Sequence, residues 1–297
     1  MEPSLPRSRR FAVSERAFRR LALANALGLL VIIASGATVR LTGSGLGCEH
    51  WPGCTAGNPL PTQGFHSTVE FTNRLVAGAA IILTLVLLVA AYLAKTTPRW
   101  ARRSVWGIFL LTLAEAPLGA VTVYYHLNPW LVLSHFLLSI VILTLGVVVA
   151  VDAYGIRGAP VPPAIQSITL LVAAACAVLV VTGTIATAAG PHSGSTVVPR
   201  VWSLHPALWL HVRATAVFAI GFAIILVWLL RNHNRNLRAA LGVLVVLGLQ
   251  MVVGEVQYRI HPHLPWGLVL VHVSLAGALW AAMVVFTAIL MRPSRMA

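Results

Sequence analysis

The sequence predicts an all-α membrane protein whose eight transmembrane helices form two parallel four-helix bundles related by a pseudo-two-fold axis. Hydrophobic residues make up 58% of the 297-residue chain and charged residues only 9%, whereas soluble domains carry about 25% charged residues. Eight apolar runs, each near the ~20 residues that cross a bilayer, are joined by short connections. The basic residues collect on alternate connections, which is the pattern of a multi-pass chain.

The predicted spans divide the chain into two halves of four helices. They cover residues 21–39, 68–93, 105–125, 130–151, 166–188, 205–230, 239–258 and 267–291. This predicts a cytoplasmic tail at 1–20, an N-terminal half at 21–151, a cytoplasmic linker at 152–165, a C-terminal half at 166–291 and a tail at 292–297. The first run is long and lacks a small-residue cleavage site, so we expect no cleaved signal peptide.

The distribution of basic residues predicts the orientation of the spans. Of the 21 Lys and Arg residues, 16 fall in the two tails and in the connections on the same side as those tails. The other five are Arg40, Arg74, Arg200, Arg213 and Arg259. The positive-inside rule therefore places both termini in the cytoplasm. The net charge of +14 is spread through short loops, so it indicates topology and not nucleic-acid binding.

An internal repeat relates the two halves. Gly36-Ala37-Thr38, followed at seven residues by a glycine, recurs as Gly183-Thr184-Ile185 with the same spacing. Later in each half, a glycine and a proline precede an intramembrane histidine, His135 or His272. Because both copies start on the cytoplasmic side, the repeat predicts an axis along the membrane normal.

The start of the second span contains an unusual group of polar residues. His66, Glu70 and Asn73 stand at helical spacing on one face, and Arg74 follows. An ionisable residue inside a span is a functional hypothesis by default, because a charge there costs ~2.5 kcal/mol or more. The alternative is an interfacial ion pair between Glu70 and Arg74.

Two further acids and the cysteines receive structural interpretations. Glu115 is expected to make a packing hydrogen bond, and Glu255 can pair with Arg259 at i+4. Cys48 and Cys54 lie in the external loop at 41–65, which favours a disulfide, with two free thiols or a thiol redox role as alternatives. Cys176, among alanines and valines in the fifth span, is interpreted as core packing.

Three histidines, His135, His211 and His272, each lie one to two turns inside an apolar span at matched depth. A single intramembrane histidine is as readily explained by a hydrogen bond to a neighbouring helix. Three at one depth instead indicate a cofactor, since helix bundles hold heme iron between imidazoles on facing helices. If spans 6 and 8 are neighbours, His211 and His272 can clamp one heme. In the first half, His135 faces Asn73, where the repeat would place a second histidine.

The sequence resembles the heme A synthase family along almost its whole length. The resemblance rests on 42–48 (TGSGLGC) with Trp51-Pro52 and Cys54, 70–75 (EFTNRL), Gly183-Thr184, 190–194 (GPHSG), Leu210-His211, 254–258 (GEVQY) and Val271-His272. Each motif is short, but their order across eight spans is specific.

The resemblance implies a bacterial multi-pass enzyme that oxidises the C8 methyl of heme O to the formyl of heme A by two hydroxylations with water as the oxygen source. It implies a heme b ligated by His211 and His272, a substrate heme ligated by His135, a catalytic Glu70 and a Cys48–Cys54 disulfide. Arg74 would anchor a propionate or fix Glu70. Many members have histidine where this chain has Asn73, so the substrate iron is expected to have an open face that His66 reaches only if the helix bends.

The implied partners are heme O, an unidentified electron acceptor, the bilayer and the heme O-producing synthase, and the resemblance is compatible with a homo-oligomer. Two other interpretations stay open. A diheme electron-transfer protein would use Glu70 as a proton relay or structural ion pair. A transporter or heme-handling protein would also fit parallel four-helix repeats.

Overall fold

The computed structural model describes residues 12–51, 53–58, 60–61, 64–192, 200–261 and 263–292. The predicted ends of the two tails, 1–11 and 293–297, and the motif residues Pro52, Ser193 and Gly194 lie outside them. The described residues form eight helices. These are α1 (Glu15–Leu41), α2 (Phe65–Leu93), α3 (Arg99–Tyr124), α4 (Pro129–Ala153), α5 (Pro163–Ala189), α6 (Leu204–Arg231), α7 (Leu237–Ile260) and α8 (Trp266–Met291).

The prediction of eight membrane spans is confirmed, since all eight helices are long and apolar enough to cross a bilayer. Their ends differ from the predicted spans. The helix α1 begins at Glu15 inside the predicted tail, where Ser14 accepts a hydrogen bond from the N–H of Ala17 at 3.2 Å. The helix α3 begins at Arg99 and not at residue 105. Hydropathy detects only the apolar centre of a helix, whereas backbone hydrogen bonding continues through polar residues at its ends.

Each half of the chain has its own hydrophobic core. One buried cluster draws on α1 to α4 and the other on α5 to α8. The halves meet through α8, which packs against α1 and α4. At this contact Trp280 donates a hydrogen bond from Nε1 to Oγ1 of Thr144 at 2.8 Å. Because Cys176 is buried in the second cluster as a free cysteine, its prediction as core packing is confirmed.

The helices that carry the predicted site residues are held apart within each half. The helix α1 packs against both α2 and α4, and α5 packs against both α6 and α8. Within the described part of the chain, the backbones of α2 and α4 do not touch, and neither do those of α6 and α8. Side chains from α6 and α8 can therefore face each other across a gap whose width α5 sets.

Candidate functional site

Two imidazoles meet across the gap between α6 and α8. The ring centroids of His211 and His272 lie 6.3 Å apart, with an interplanar angle of 72°. A metal held by both rings needs two metal–nitrogen bonds of about 2 Å plus the distance from each nitrogen to its ring centre, which totals roughly 6 Å. The observed separation fits one metal ion between the two histidines.

A hydrogen bond between His211 and the hydroxyl of Thr182 orients the His211 ring. The Thr182 hydroxyl donates to the carbonyl of Leu179 at 3.0 Å and lies 3.3 Å from Nδ1 of His211. Since its hydrogen is used by the carbonyl, the hydroxyl accepts from Nδ1–H. This fixes the tautomer in which Nε2 carries a free lone pair, as a metal ligand requires.

The ring of His272 has a less complete environment. Its Nδ1 is fully buried without a hydrogen-bond partner among the described residues, and the same holds for Oε1 of Gln250 on α7. Buried polar atoms are nearly always paired, so an unpaired imidazole nitrogen indicates a site arranged for something besides the protein itself.

The ring of His135 in the first half has a carboxylate beside it. The Glu115 carboxylate contacts Nδ1 of His135, and its other oxygen accepts a hydrogen bond from the Ser139 hydroxyl at 2.7 Å. Histidines that bind metals commonly present their second nitrogen to such a carboxylate, which fixes the ring and raises its basicity. Glu115 was predicted to make a packing hydrogen bond, which its bond with Ser139 confirms, and its carboxylate also lies against the ring of His135.

A glycine on the neighbouring helix lies under each of these three rings. A Cβ added at Gly183 would come within 2.9 Å of Cε1 of His211. A Cβ at Gly254 would lie 3.2 Å from Cε1 of His272, and a Cβ at Gly119 would lie 3.6 Å from Cε1 of His135. At Gly183 the ring could not keep its place, because a Cβ contact under 3.0 Å forces a shift. The glycines of the repeat therefore make room for imidazole rings at three matched positions.

The fourth position of this pattern differs. The repeat aligns Gly36 with Gly183 and Asn73 with His211, yet a Cβ at Gly36 would have no atom within 4 Å. Oδ1 of Asn73 is fully buried without a partner in the described residues. The first half thus has open space beside Gly36 where the second half has an imidazole.

Glu70 is buried at 4% exposure near the start of α2, with both carboxylate oxygens engaged. Oε1 accepts a hydrogen bond from Arg74 at 2.6 Å, and Oε2 accepts one from the backbone N–H of Cys48 at 2.9 Å. Arg74 also donates to the carbonyls of His50 and Gly53. The ion pair considered as an alternative from the sequence is therefore present, and it ties α2 to the loop between α1 and α2.

The loop approaches α2 closely because of a glycine and a disulfide. A Cβ at Gly47 would lie 2.5 Å from the carbonyl oxygen of His66, so only glycine fits there. Cys48 and Cys54 are bonded at an S–S distance of 2.04 Å, as predicted. The disulfide closes a small ring of the chain. Within this ring, the backbone N–H of Cys48 donates the hydrogen bond to Glu70.

His66 is exposed in the first turn of α2 and belongs to the loop contact. Its Nδ1 lies 2.9 Å from Oγ of the buried Ser44, so this hydrogen bond holds the ring at the loop. Asn73 is seven residues further, about 10 Å along the helix. On α7, Arg259 and Glu255 form the predicted pair, and both are exposed.

Sequence analysis missed the side chains that contact the imidazole rings of His211 and His135. Thr182 and the role of Glu115 follow from how neighbouring helices are rotated, and hydropathy contains no such information. One signal was available for Glu115, because its four-residue spacing from Gly119 matches that of Gln250 from Gly254.

Together, the fold and the facing imidazoles define a multi-pass helical membrane protein with a histidine pair suited to the axial ligation of a metal porphyrin. The COX15-CtaA family, described as cytochrome oxidase assembly proteins, matches residues 19–284. The chain belongs to this family.

Curated relatives of this chain include bacterial heme A synthases. A heme A synthase of Alkalihalophilus pseudofirmus is 25% identical over 287 residues, which cover 90% of this chain and 95% of the relative. Heme A synthases of Bacillus mycoides and Bacillus cereus are 31% and 30% identical over 129 residues. In those two matches the alignment spans 43% of this chain and 41% of the relative.

Proposed function

We propose that this chain is a heme A synthase, an oxidoreductase that converts the C8 methyl of heme O into the formyl of heme A within the membrane. The observation that carries the proposal is the pair of facing imidazoles, His211 and His272, in one half of the protein, accompanied in the other half by an oriented His135 and a buried Glu70. Family membership and the name of the relatives support the same activity.

The architecture that goes with this function is two parallel four-helix halves around a pseudo-two-fold axis, with both termini in the cytoplasm. The corresponding packing of α1 and α5 against their neighbours supports the axis. So do the glycine–histidine contacts of Gly119 with His135 and of Gly254 with His272. The clustering of basic residues supports the orientation.

The resident cofactor would be heme b, and the imidazoles of His211 and His272 would hold its iron. When bound, heme b supplies one-electron redox chemistry between the substrate site and an acceptor. The protein contributes orientation, through Thr182 on one ring, and a low-dielectric surrounding that the helices provide.

Heme O is the substrate of the first half, where His135 is its axial ligand and Glu115 fixes that ring. The space beside Gly36 and the unpaired amide oxygen of Asn73 support an open side at the substrate iron. Asparagine is a poor iron ligand, so the substrate is held through one imidazole. His66 is bound to Ser44, which argues against the bend it would need to reach this side.

The reaction consists of two hydroxylations in which water provides the oxygen. Each replaces a C–H hydrogen of the methyl group by a hydroxyl from water and releases two electrons and two protons. The resulting gem-diol loses water to give the formyl group. Each hydroxylation therefore needs an acceptor for two electrons, and that acceptor lies outside this chain.

Glu70 is the catalytic carboxylate in this proposal. Removing electrons from the methyl group develops positive charge, which a fixed carboxylate in a low-dielectric site stabilises. The bonds from Arg74 and the Cys48 N–H hold Glu70 in one orientation, so it needs no rearrangement when charge develops. The remaining lone pairs on its oxygens can also accept a proton from the attacking water. Arg74 then acts by fixing Glu70 and the loop.

Co-expression with a heme O-producing synthase tests the function. We expect heme A and the hydroxylated intermediate in extracts of cells that contain both proteins, and heme O alone in cells that lack this chain. Unchanged heme O with a fully loaded protein would support the diheme electron-transfer alternative instead. The synthase is the partner expected to deliver heme O, and purification of the pair also tests the oligomeric state.

A further inference from the structure

Arg40 is a partly buried cation whose Nε has no hydrogen-bond partner among the described residues. It lies in the last turn of α1, and its Nε is fully buried without a hydrogen-bond acceptor. Within the described residues, Arg40 makes no ion pair and no hydrogen bond through its side chain. A basic residue at a helix C-terminus can bind the free carbonyls there, but the Nε atom of Arg40 has none. A buried guanidinium nitrogen without an acceptor is costly, which favours an anionic ligand beside Arg40.

A second arginine makes the position more positive. Arg200 is close enough to Arg40 for their like charges to repel. Its guanidinium is held by the carbonyls of Gly190 and Pro191 at the end of α5, and neither group neutralises it. Two guanidinium groups therefore approach each other at the external side of the bundle.

The acids of the described chain are placed elsewhere. Four of them bind cationic or imidazole partners: Glu70, Glu115, Asp152 and Glu255. Glu15 lies in the first turn of α1, at the opposite end of that helix from Arg40, and Glu49 is exposed in the loop. None of these forms an ion pair with Arg40 or Arg200, so the counterion must come from a ligand.

Helix contacts place Arg40 near the depth of the intramembrane histidines. A Cβ at Gly277 of α8 would lie 3.4 Å from Leu30 of α1, and one at Gly146 of α4 would lie 2.9 Å from Leu29. Counting about 1.5 Å per residue from these levels puts Arg40 level with His135 and about one and a half turns nearer the external side than His272. Helical side chains lean toward the N-terminus, which directs that of Arg40 down toward the histidines.

We propose that Arg40 and Arg200 bind the propionate carboxylates of the porphyrin ligated by His211 and His272, an inference that rests on the proposed function. A porphyrin of this type carries its two propionates on one edge, and arginine pairs with carboxylates through two parallel hydrogen bonds. Arg200 precedes α6 and α1 packs against α8, so the cations flank the two ligand helices. Through Arg40, the helix α1 of the first half would contribute a side chain to the cofactor site of the second half.

The test compares two porphyrins in the full-length protein. Wild type, Arg40→Gln and Arg200→Gln are purified and loaded with heme b or with its dimethyl ester, which lacks both carboxylates. The loss of each porphyrin to excess apomyoglobin is then timed. Hydrogen bonds to charged groups contribute about 1.5–3 kcal/mol, so wild type should release the ester at least about tenfold faster than heme b. In Arg40→Gln the two porphyrins should leave at nearly equal, fast rates.

Controls separate this outcome from others. Arg259→Gln, which changes an arginine side chain that is 75% exposed, should behave as wild type. Arg200 is itself exposed, so Arg200→Gln keeps the fold and still shows a reduced ester effect if Arg40→Gln fails to fold. An equal ester effect in wild type and both variants overturns the proposal, as does no ester effect in wild type, which would point to a lipid phosphate as the anion. A wild-type protein that binds neither porphyrin refutes the histidine ligation itself.

Discussion

The imidazole rings of His211 and His272 lie 6.3 Å apart on two helices whose backbones do not touch. The helix α5 holds the two apart and contributes Gly183 and Thr182 to the first ring. The porphyrin ligation proposed for these two rings can therefore be tested separately from the chemistry proposed for the first half.

Removing either ring should abolish the low-spin heme of the second half. In His211→Ala or His272→Ala, the iron loses one of two axial ligands, so the purified protein should lack the bis-imidazole absorption and electron paramagnetic resonance signals. His205→Ala is the matched control, because His205 is exposed on α6 and bonded to Trp209. Full low-spin heme in both ligand variants would show that the ligands are other residues.

Introducing a histidine at Asn73 should close the open side of the substrate site. The space beside Gly36 accepts an imidazole as Gly183 does in the other half, so Asn73→His should turn bound heme O into a six-coordinate low-spin species. Heme A formation should continue, since the family members with histidine at this position are expected to carry out the same reaction. Thr72→His, on an exposed position of α2, should change neither reading. A high-spin spectrum in Asn73→His would mean that the iron lies elsewhere.

Glu115 should affect heme O binding through His135. Loss of a carboxylate behind a ligating imidazole typically lowers affinity 10–100-fold, so Glu115→Ala should weaken heme O binding by about that factor. Binding is measured by titration of the purified protein, and the b-type spectrum of the second half should remain. Glu255→Ala removes an exposed pair worth about 0–1 kcal/mol and should leave heme O affinity unchanged. Equal affinities in the two variants would contradict the role given to Glu115.

Gly183 should tolerate no side chain. The Cβ of Gly183→Ala would lie 2.9 Å from His211, which displaces the ring and should lower heme content and thermal stability. Gly242→Ala on α7 meets nothing within 4 Å, so it should stabilise the helix by up to about 1 kcal/mol. Thermal unfolding and heme content of both variants provide the comparison. A Gly183→Ala protein with normal heme would show that the ring does not depend on this contact.

Hydropathy and charge were sufficient for the eight spans, because a bilayer requires long apolar helices with satisfied backbones. Spacing also predicted the disulfide and the Glu255–Arg259 pair, which are local in the chain. Two contacts between distant segments were not predicted, although the pairing of His211 with His272 was. The bond from the Cys48 N–H to Glu70 and the contact of Glu115 with His135 depend on how each helix is rotated against its neighbours. Residues with such roles read as ordinary packing or ion pairs in the sequence.

The most direct test of the account is the heme composition of cells that make heme O together with wild type, Glu70→Gln or Glu70→Asp. Glutamine can still accept from the Cys48 N–H but carries no negative charge at the methyl group. We expect heme A with wild type, and unconverted heme O with Glu70→Gln, while the purified variant keeps its low-spin heme. Heme A at the wild-type level in Glu70→Gln would contradict the catalytic role of this carboxylate, and its absence with wild type would contradict the proposed activity.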